Sequence, residues 1–391
     1  MGWGDRVDWE GRERGRDGIS RLGGIGKEMN KRAKLEKYKQ DLVKLFRRSR
    51  WLMADSEEEK TRMRSTMECP VKTLTLYRYM PVNEYTLLDL QLGRLTLTDP
   101  NLFNDPYDSL LYIDSESACS SIRNFTLEDF KGQIALVRKG SPFPSECDVG
   151  QLKLYEALAR LPDESLEREI YPRYREIQRL GLQSLLDYPK KMRGRVRVGC
   201  LSERCDSAPM WAHYADLGRG ICVQYEVAVQ IGVPIKGQDL GRDLTLSVLP
   251  VLYSKQRYNA THLVQEAAQE DMAAHAGVLQ ELDISHFDCL SSYKLTAFKS
   301  NDWSYEKEWR VFVSAFTPND PSRVSIPVYN VTGVILGHAI SIEKTALVMR
   351  MVEDLIRARQ IPIALRRIKV NSCSKQYCLS ALDLSTEDRK S

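Results

Sequence analysis

From Leu74 onward, short stretches in which apolar and polar residues alternate are separated by longer stretches with apolar residues at helical spacing. Leu74-Thr-Leu-Tyr-Arg-Tyr79 alternates and is rich in aromatic residues, which predicts a strand. Asn83 to Leu92 reads as a short helix, and Leu95-Thr-Leu-Thr98 as a strand running into an Asn-Asp-Pro turn. Residues 150–192 carry Leu and Tyr at helical intervals among charges, which predicts one or two helices. Further strands are expected over Arg195 to Leu201, Ile221 to Val227, Leu244 to Tyr253, Glu308 to Ser314, Val324 to Val328, Val334 to Leu336 and Ile363 to Val370. Residues 258–299 and Ile342 to Gln360 read as helical. Strands and helices interleave without a regular βαβ period. That predicts an α+β fold, with a mixed or antiparallel sheet core and several helices.

The N-terminal stretch has a different pattern. Residues 1–26 are rich in Gly and Arg, lack an apolar period, and read as disordered or linker-like. Leu35, Tyr38, Leu42, Leu45 and Phe46 then fall at helical spacing with Lys and Arg between them, giving a basic amphipathic helix near residues 27–50. Such a helix can dock by its apolar stripe with its charges in solvent, which is the favoured reading. It can also be an arm that touches nucleic acid or an acidic membrane surface. Residues 51–70 read as a charged linker. The expected organisation is a basic arm over 1–70 and a single α+β domain over 71–385.

Composition narrows the class. The chain has 391 residues, 42% apolar and 28% charged, as expected of a soluble globular protein. Its first 50 residues hold 15 Lys and Arg against 8 Asp and Glu, so with an overall charge of +4 the remainder is slightly acidic. No run of 18 apolar residues predicts a membrane span, and no apolar N-terminal core suggests a signal peptide. Nine scattered cysteines point to reduced, buried thiols in a cytoplasmic protein. The spacing of Cys200 with Cys205, and of Cys373 with Cys378, lacks matching histidines, so no metal is expected.

Several polar motifs interrupt the apolar runs. In chain order they are Tyr77-Arg78-Tyr79, Phe103-Asn104-Asp105-Pro106-Tyr107-Asp108, Met210-Trp211-Ala212-His213-Tyr214-Ala215-Asp216 with Gly220, Trp303-Ser-Tyr305-Glu306-Lys-Glu308-Trp309-Arg310, and Val334-Ile-Leu-Gly337. This order resembles a bacterial family known as "domain of unknown function 2971", over roughly residues 74 to 380. The layout is also similar to that of ADP-ribosyltransferases, in which an early strand offers His or Arg, a middle segment an aromatic, and a later strand a catalytic Glu. That second resemblance implies Arg78 in the first role, Tyr214 (or Tyr107) in the second, and Glu306 or Glu308 in the third, with NAD as the cofactor. The chain departs from it in lacking a Ser-Thr-Ser or His-Tyr pairing at the expected strand positions.

Each residue also has its own chemistry. On a strand alternate residues share a face, so Glu306, Glu308, Arg310 and Phe312 are expected to point one way. Lys307, Trp309, Val311 and Val313 would share the core face. On an exposed face the charges would form cross-strand salt bridges, each worth ~0.2–1 kcal/mol. In a cleft, a carboxylate facing a sugar carbon that gains cationic character stabilises the transition state. Arg310 would keep a Glu ionised or hold a phosphate. His213 is either a general base or a half-buried histidine bonded to a carbonyl. Trp211 and Tyr214, three apart, would stack on a nicotinamide or base, or pack in the core. Asn104 and Asp105 belong to a turn, with Asp105 as a cap or a ligand of ribose hydroxyls. Arg78, beside Tyr79, needs an anionic partner: a phosphate, Glu306, Glu308 or Asp105.

These readings give three function classes. The first is NAD-dependent ADP-ribosyl transfer or NAD cleavage, as in a toxin or phage-defence effector, with a small-molecule nucleotide as ligand. The second is a non-catalytic nucleic-acid-associated binding or sensor protein that uses residues 27–50. The third is a metal-free, nuclease-like hydrolase built on His213 and the carboxylates.

Overall fold

The alternating segments pair into one mixed sheet. The computed structural model describes residues 14–48, 57–117, 124–140, 155–237, 242–261, 289–314, 316, 319–327 and 331–384. Its strands are β1 (Thr73–Met80), β2 (Arg94–Thr98), β3 (Arg197–Ser202), β4 (Ile221–Ala228), β5 (Val233–Gly237), β6 (Arg242–Pro250), β7 (Leu252–Ser254), β8 (Phe298–Ser300), β9 (Glu308–Ser314), β10 (Arg323–Pro327), β11 (Val331–Leu336), β12 (Ala364–Val370) and β13 (Leu379–Asp383). Its longer helices are α1 (Arg14–Arg48), α2 (Glu57–Met67), α3 (Glu84–Leu92), α4 (Leu127–Arg138), α5 (Tyr171–Arg193), α6 (Ala208–Tyr214), α7 (Cys289–Ala297) and α8 (Ile342–Arg359). The main sheet runs β13-β12-β11-β4-β1-β3-β9-β6-β5, with β2 and β10 as a side ribbon against β3. β11 and β12 are parallel and the other pairs of this sheet antiparallel. The fold is α+β, as the pattern of elements predicts.

Pairing is uneven in the middle of the sheet. β1 registers with β4 along its whole length, from Thr73 opposite Ala228 to Met80 opposite Ile221. β3 does the same with β9, from Arg197 opposite Val313 to Ser202 opposite Glu308. β1 and β3 themselves meet only at Tyr77 opposite Ser202. β2 joins β3 only at Thr98 opposite Val198. Directly opposed residues share a face, so Tyr77, Ser202 and Glu308 form one row across the sheet, with Cys200 and Arg310 in the next. The alternate residues Leu74, Leu76, Leu201, Trp309, Val311 and Val313 join the main hydrophobic core.

α1 belongs to that core. Leu35, Tyr38, Leu42, Leu45 and Phe46 are buried there with Met63 and Met67 of α2. Tyr38 donates its hydroxyl to Met67 O at 2.7 Å, and Lys39 pairs with Glu203 at 2.8 Å. The helix therefore docks by its apolar stripe, which is the favoured reading of its sequence.

Several expectations need correction. The helix already begins at Arg14, inside the stretch read as disordered. The stretch read as a linker holds α2, because Met63 and Met67, four residues apart, supply an apolar edge hidden among charges. The strand expected over Leu244 to Tyr253 divides into β6 and β7, and β7 pairs in parallel with β8, at the end of a segment read as helical. Residues 262–288 of that segment, like 1–13 and 49–56, lie outside the described residues. β5, β13 and α4 were not anticipated.

If α1 is part of the core, Leu42→Ala should destabilise the whole protein by about 2–5 kcal/mol and Phe46→Ala by about 3–5 kcal/mol, in a single cooperative transition. Urea denaturation followed by tryptophan fluorescence measures this. A loss below about 1 kcal/mol for both would make α1 peripheral.

Candidate active site

The site is built from a turn that ends one element and starts another. α7 leads into β8, which carries Lys299. A six-residue 3₁₀-helix, Asn301–Glu306, follows, capped by Ser300, whose side chain accepts from Asp302 N–H. Lys307 then takes a left-handed backbone (φ 48°), and Glu308 begins β9. The reversal at Lys307 brings Glu306 and Glu308 to the same ammonium group. Lys299 Nζ donates to Glu306 Oε2 at 2.7 Å and to Glu308 Oε2 at 2.9 Å, and lies 3.4 Å from Asp108 Oδ2.

Arg310 closes the other side. Its Nε donates to Glu308 Oε1 at 2.8 Å and its Nη2 to Asp108 Oδ2 at 2.7 Å. Nη1 donates to Thr296 O at 2.8 Å and to Ser109 Oγ at 3.1 Å. Asp108 reaches this cluster because the Asn-Asp-Pro motif folds as a turn. Asp105 Oδ1 accepts from Tyr107 N–H at 2.9 Å, and Arg193 donates to the Asp105 and Pro106 carbonyls. Asp108, Lys299, Glu306, Glu308 and Arg310 are all buried. Three carboxylates face two cations.

Environment separates the two glutamates. Burial alone would raise Glu308, but Arg310 and Lys299 outweigh it and hold this carboxyl well below the usual carboxylate range. For Glu306 burial is the larger influence and, with the neighbouring Glu308, lifts it above its ordinary 4.5 against the pull of Lys299. Burial pulls Lys299 down, yet Glu308, Asp108 and Glu306 together keep its ammonium above its ordinary value. Burial and then the charge of Glu306 push the Tyr214 phenol far up. Tyr214 therefore remains a donor, and its hydroxyl gives a 2.7 Å bond to Glu306 Oε1.

A cleft of about 210 Å³ opens where β1 and β3 part. Tyr77, Arg78, Tyr79, Asn104, Cys200, Ser202, Tyr214, Lys299, Glu306 and Glu308 contribute to its wall. Arg78 donates from Nη2 to Thr96 O at 2.9 Å and makes no ion pair among the described residues. The anionic partner expected for it within the chain, Glu306, Glu308 or Asp105, is not there. Among the described residues no group of His, Cys, Asp or Glu is placed to hold a metal ion. The space between Asp108, Glu306 and Glu308 is taken by Lys299 Nζ.

The structure thus brings Arg78, Tyr79, Asn104, Tyr214, Glu306 and Glu308 to one cleft. It does not bring the others. His213 is exposed on α6, outside the cleft wall. Trp211 packs edge-on against Tyr79 with ring centroids 5.2 Å apart, and its Nε1 donates to Cys205 O at 2.8 Å, so it is a core residue. Asp105 holds its own turn. Arg310 is 1% exposed and fully committed to Glu308, Asp108, Ser109 and Thr296, with nothing left for a phosphate. The expected exposed strand face does not exist: the strand starts at Glu308, and both glutamates are buried. Lys299 and Asp108 were not assigned from sequence. One signal was present: two buried carboxylates in Glu306-x-Glu308-x-Arg310 require a second cation nearby.

A family model described as "Protein of unknown function (DUF2971)" matches residues 210–311. The match runs from α6 into β9, so it includes Tyr214, Lys299, both glutamates and Arg310, but not Arg78 or Asp108. No curated protein and no solved structure matches the chain. The similarity to ADP-ribosyltransferases gains no support from these comparisons. Among the described residues, no helix is long and apolar enough to cross a membrane, and Cys69, Cys200, Cys205, Cys222, Cys373 and Cys378 are free thiols.

The two glutamates should respond differently to amide replacement. Both Glu308 oxygens accept from cations, so an amide NH₂ there must face a positive group. Glu308→Gln should cost about 3–5 kcal/mol. In Glu306→Gln the amide can face the Tyr214 hydroxyl, which then accepts, and the cluster becomes neutral. That change should cost about 1 kcal/mol. Urea denaturation at neutral pH compares them, and equal losses would show Glu306 bound as firmly as Glu308. Because the folded Glu308 is held below its unfolded value, its contribution is fully present above about pH 4.5 and is lost as pH falls towards the folded value. Wild-type stability should fall over that acidic range, and the fall should be shallower in Glu308→Gln.

Proposed function

We propose that this cleft is the active site of an enzyme that cleaves the bond between nicotinamide and ribose in NAD, passing the ribosyl part to an acceptor or to water. The observation that carries this reading is the meeting of Arg78, Tyr214 and Glu306 on one cleft. Arg78, with no carboxylate of its own among the described residues, suits a ligand phosphate. The tyrosine-lined wall suits a flat ring. The volume is below the roughly 300–1,000 Å³ usual for drug-sized ligands, so the deep part takes a ring or sugar and not a whole dinucleotide.

Glu306 is the acting carboxylate in this reading. Lys299 and Tyr214 hold it by one oxygen each, which fixes its direction. Glu308, clamped by two cations, serves as a support. In the overall change the ribose C–N bond breaks, nicotinamide leaves with the bonding electrons, and the acceptor atom that joins the sugar loses a proton. An excess negative charge beside the sugar favours the cationic character that develops there.

The second reading, a nucleic-acid-associated binding protein, has one observation of its own. With the apolar stripe of α1 buried, Lys31, Arg32, Lys34, Lys37, Lys44 and Arg47 remain on its exposed side. That reading requires salt-sensitive nucleic-acid affinity that weakens when these residues are replaced.

The test is nicotinamide release from NAD by the purified protein, with and without cell extract as a source of acceptor. Glu306→Gln should lower kcat by about 10²–10³-fold while remaining folded. Arg78→Ala should chiefly raise KM. No release in either condition, or full activity in Glu306→Gln, would overturn the assignment.

A further inference from the structure

The bend that carries Glu306 is also held from behind. Ser202 Oγ donates to the Glu306 carbonyl at 2.6 Å, and Glu203 N–H donates to Lys307 O at 3.1 Å. Ser202 Oγ accepts in turn from Arg204 N–H at 3.0 Å. The Glu203 side chain has a separate role. Its Oε1 accepts from Trp309 Nε1 at 2.7 Å and from Lys39 Nζ of α1 at 2.8 Å. A single carboxylate oxygen therefore ties β3 to β9 and to the N-terminal helix. Trp309 is fully buried and its indole has one donor, so removing Glu203 would leave that donor without its acceptor. Neither Glu203 nor Lys39 contributes to the cleft wall.

We infer that Glu203, braced by Lys39 of α1, is a positioning residue for Glu306. The inference rests on the reading of Glu306 as the acting carboxylate. The backbone N–H at 203 holds Lys307 itself, and the Glu203 carboxylate holds the far side of the bend through Trp309, two residues on. Without it the bend relaxes and Glu306 turns toward water. Lys299 from β8, Glu308 from β9, Tyr214 from α6, Tyr253 from β7 and Tyr305 from the preceding turn are the titratable groups around Glu306. Asp108 and Arg310 stand one contact further, on Lys299 and Glu308. The Glu203 carboxylate bonds Trp309 and Lys39, so its effect on Glu306 is one of position.

Glu203→Ala, Glu203→Gln and Lys39→Met in the full chain test this with two readouts. The first is NMR titration of the Glu306 carboxyl in ¹³C-glutamate-labelled protein, assigned against Glu306→Gln. The second is nicotinamide release. Glu203→Ala should move the Glu306 titration down toward its ordinary 4.5, because a freer carboxyl gains water. It should also lower kcat about 10- to 100-fold with KM unchanged. Glu203→Gln keeps an acceptor for Trp309 and should restore most of both, with Lys39→Met in between. A Glu203→Ala protein that melts earlier but leaves the Glu306 titration unmoved would overturn the inference. If that variant does not fold, Trp309→Phe removes the same bond from the other side and carries the comparison, and an unmoved titration there overturns it equally. If the wild type releases no nicotinamide, the NMR titration still decides the role of Glu203, so the two readings fail separately.

Discussion

The buried ion cluster around Lys299 and Arg310 is the constraint on which the rest of the site depends. Moving charges out of water costs several kcal/mol per ion, and Coulomb attraction repays that only when every charge is closely paired. Here each cation touches more than one carboxylate, and each carboxylate touches at least one cation. The five charges come from three separate segments: the turn at Asp108, β8 at Lys299, and the bend from Glu306 through Arg310. No segment can bury its own charges alone. The cluster therefore forces the Asn-Asp-Pro turn, β8 and the start of β9 into one arrangement.

The same accounting explains why Glu306 stands apart. Arg310 bonds Asp108 and Glu308 and has no bond to Glu306, which has Lys299 as its one cation among the described residues. Glu306 receives one hydrogen bond of an ammonium that also bonds Glu308, and completes its coordination with a neutral phenol. Of the two glutamates it is the one more easily neutralised by a proton. On the reading of the cleft as an active site, a positively charged sugar carbon would serve the same end. A network that holds four charges firmly and the fifth less so is a means of keeping one buried carboxylate available.

The sequence made the elements legible where periodicity was strong. β4, β9, β12 and α8 fall within a residue or so of their expected limits because apolar residues recur there at one clear period. Arg78, Tyr214 and Glu306 were also legible, since polar residues set among apolar runs must either find partners or line a cavity. What was hidden depended on distant partners. Lys299 lies in a stretch read as helix, and nothing local marks it as the counter-ion of residues 7 and 9 positions later. Parity along β9 placed Glu306 wrongly because a left-handed Lys307 breaks the strand, and Lys is not a residue that announces such a backbone. Trp211 was ambiguous for a different reason. Its indole N–H finds a backbone carbonyl six residues away, which residue type alone cannot reveal.

The side ribbon sits on β3 through a close approach. A Cβ added at Gly199 would lie 2.7 Å from a Leu97 methyl and 3.2 Å from a Leu95 methyl. A glycine there lets the leucines of β2 settle on β3 without shifting, and β2 brings β10 with it through five paired positions. With that ribbon seated across β3, β1 stays with β4 and meets β3 at Tyr77 alone. Arg78, the residue after that single bridge, then bonds to Thr96 O on β2. The guanidinium therefore spans the parting strands, and Arg78 and Glu306 both contribute to the wall of the opening. The ion cluster orients the carboxylate, and the parting of β1 from β3 provides the space it faces.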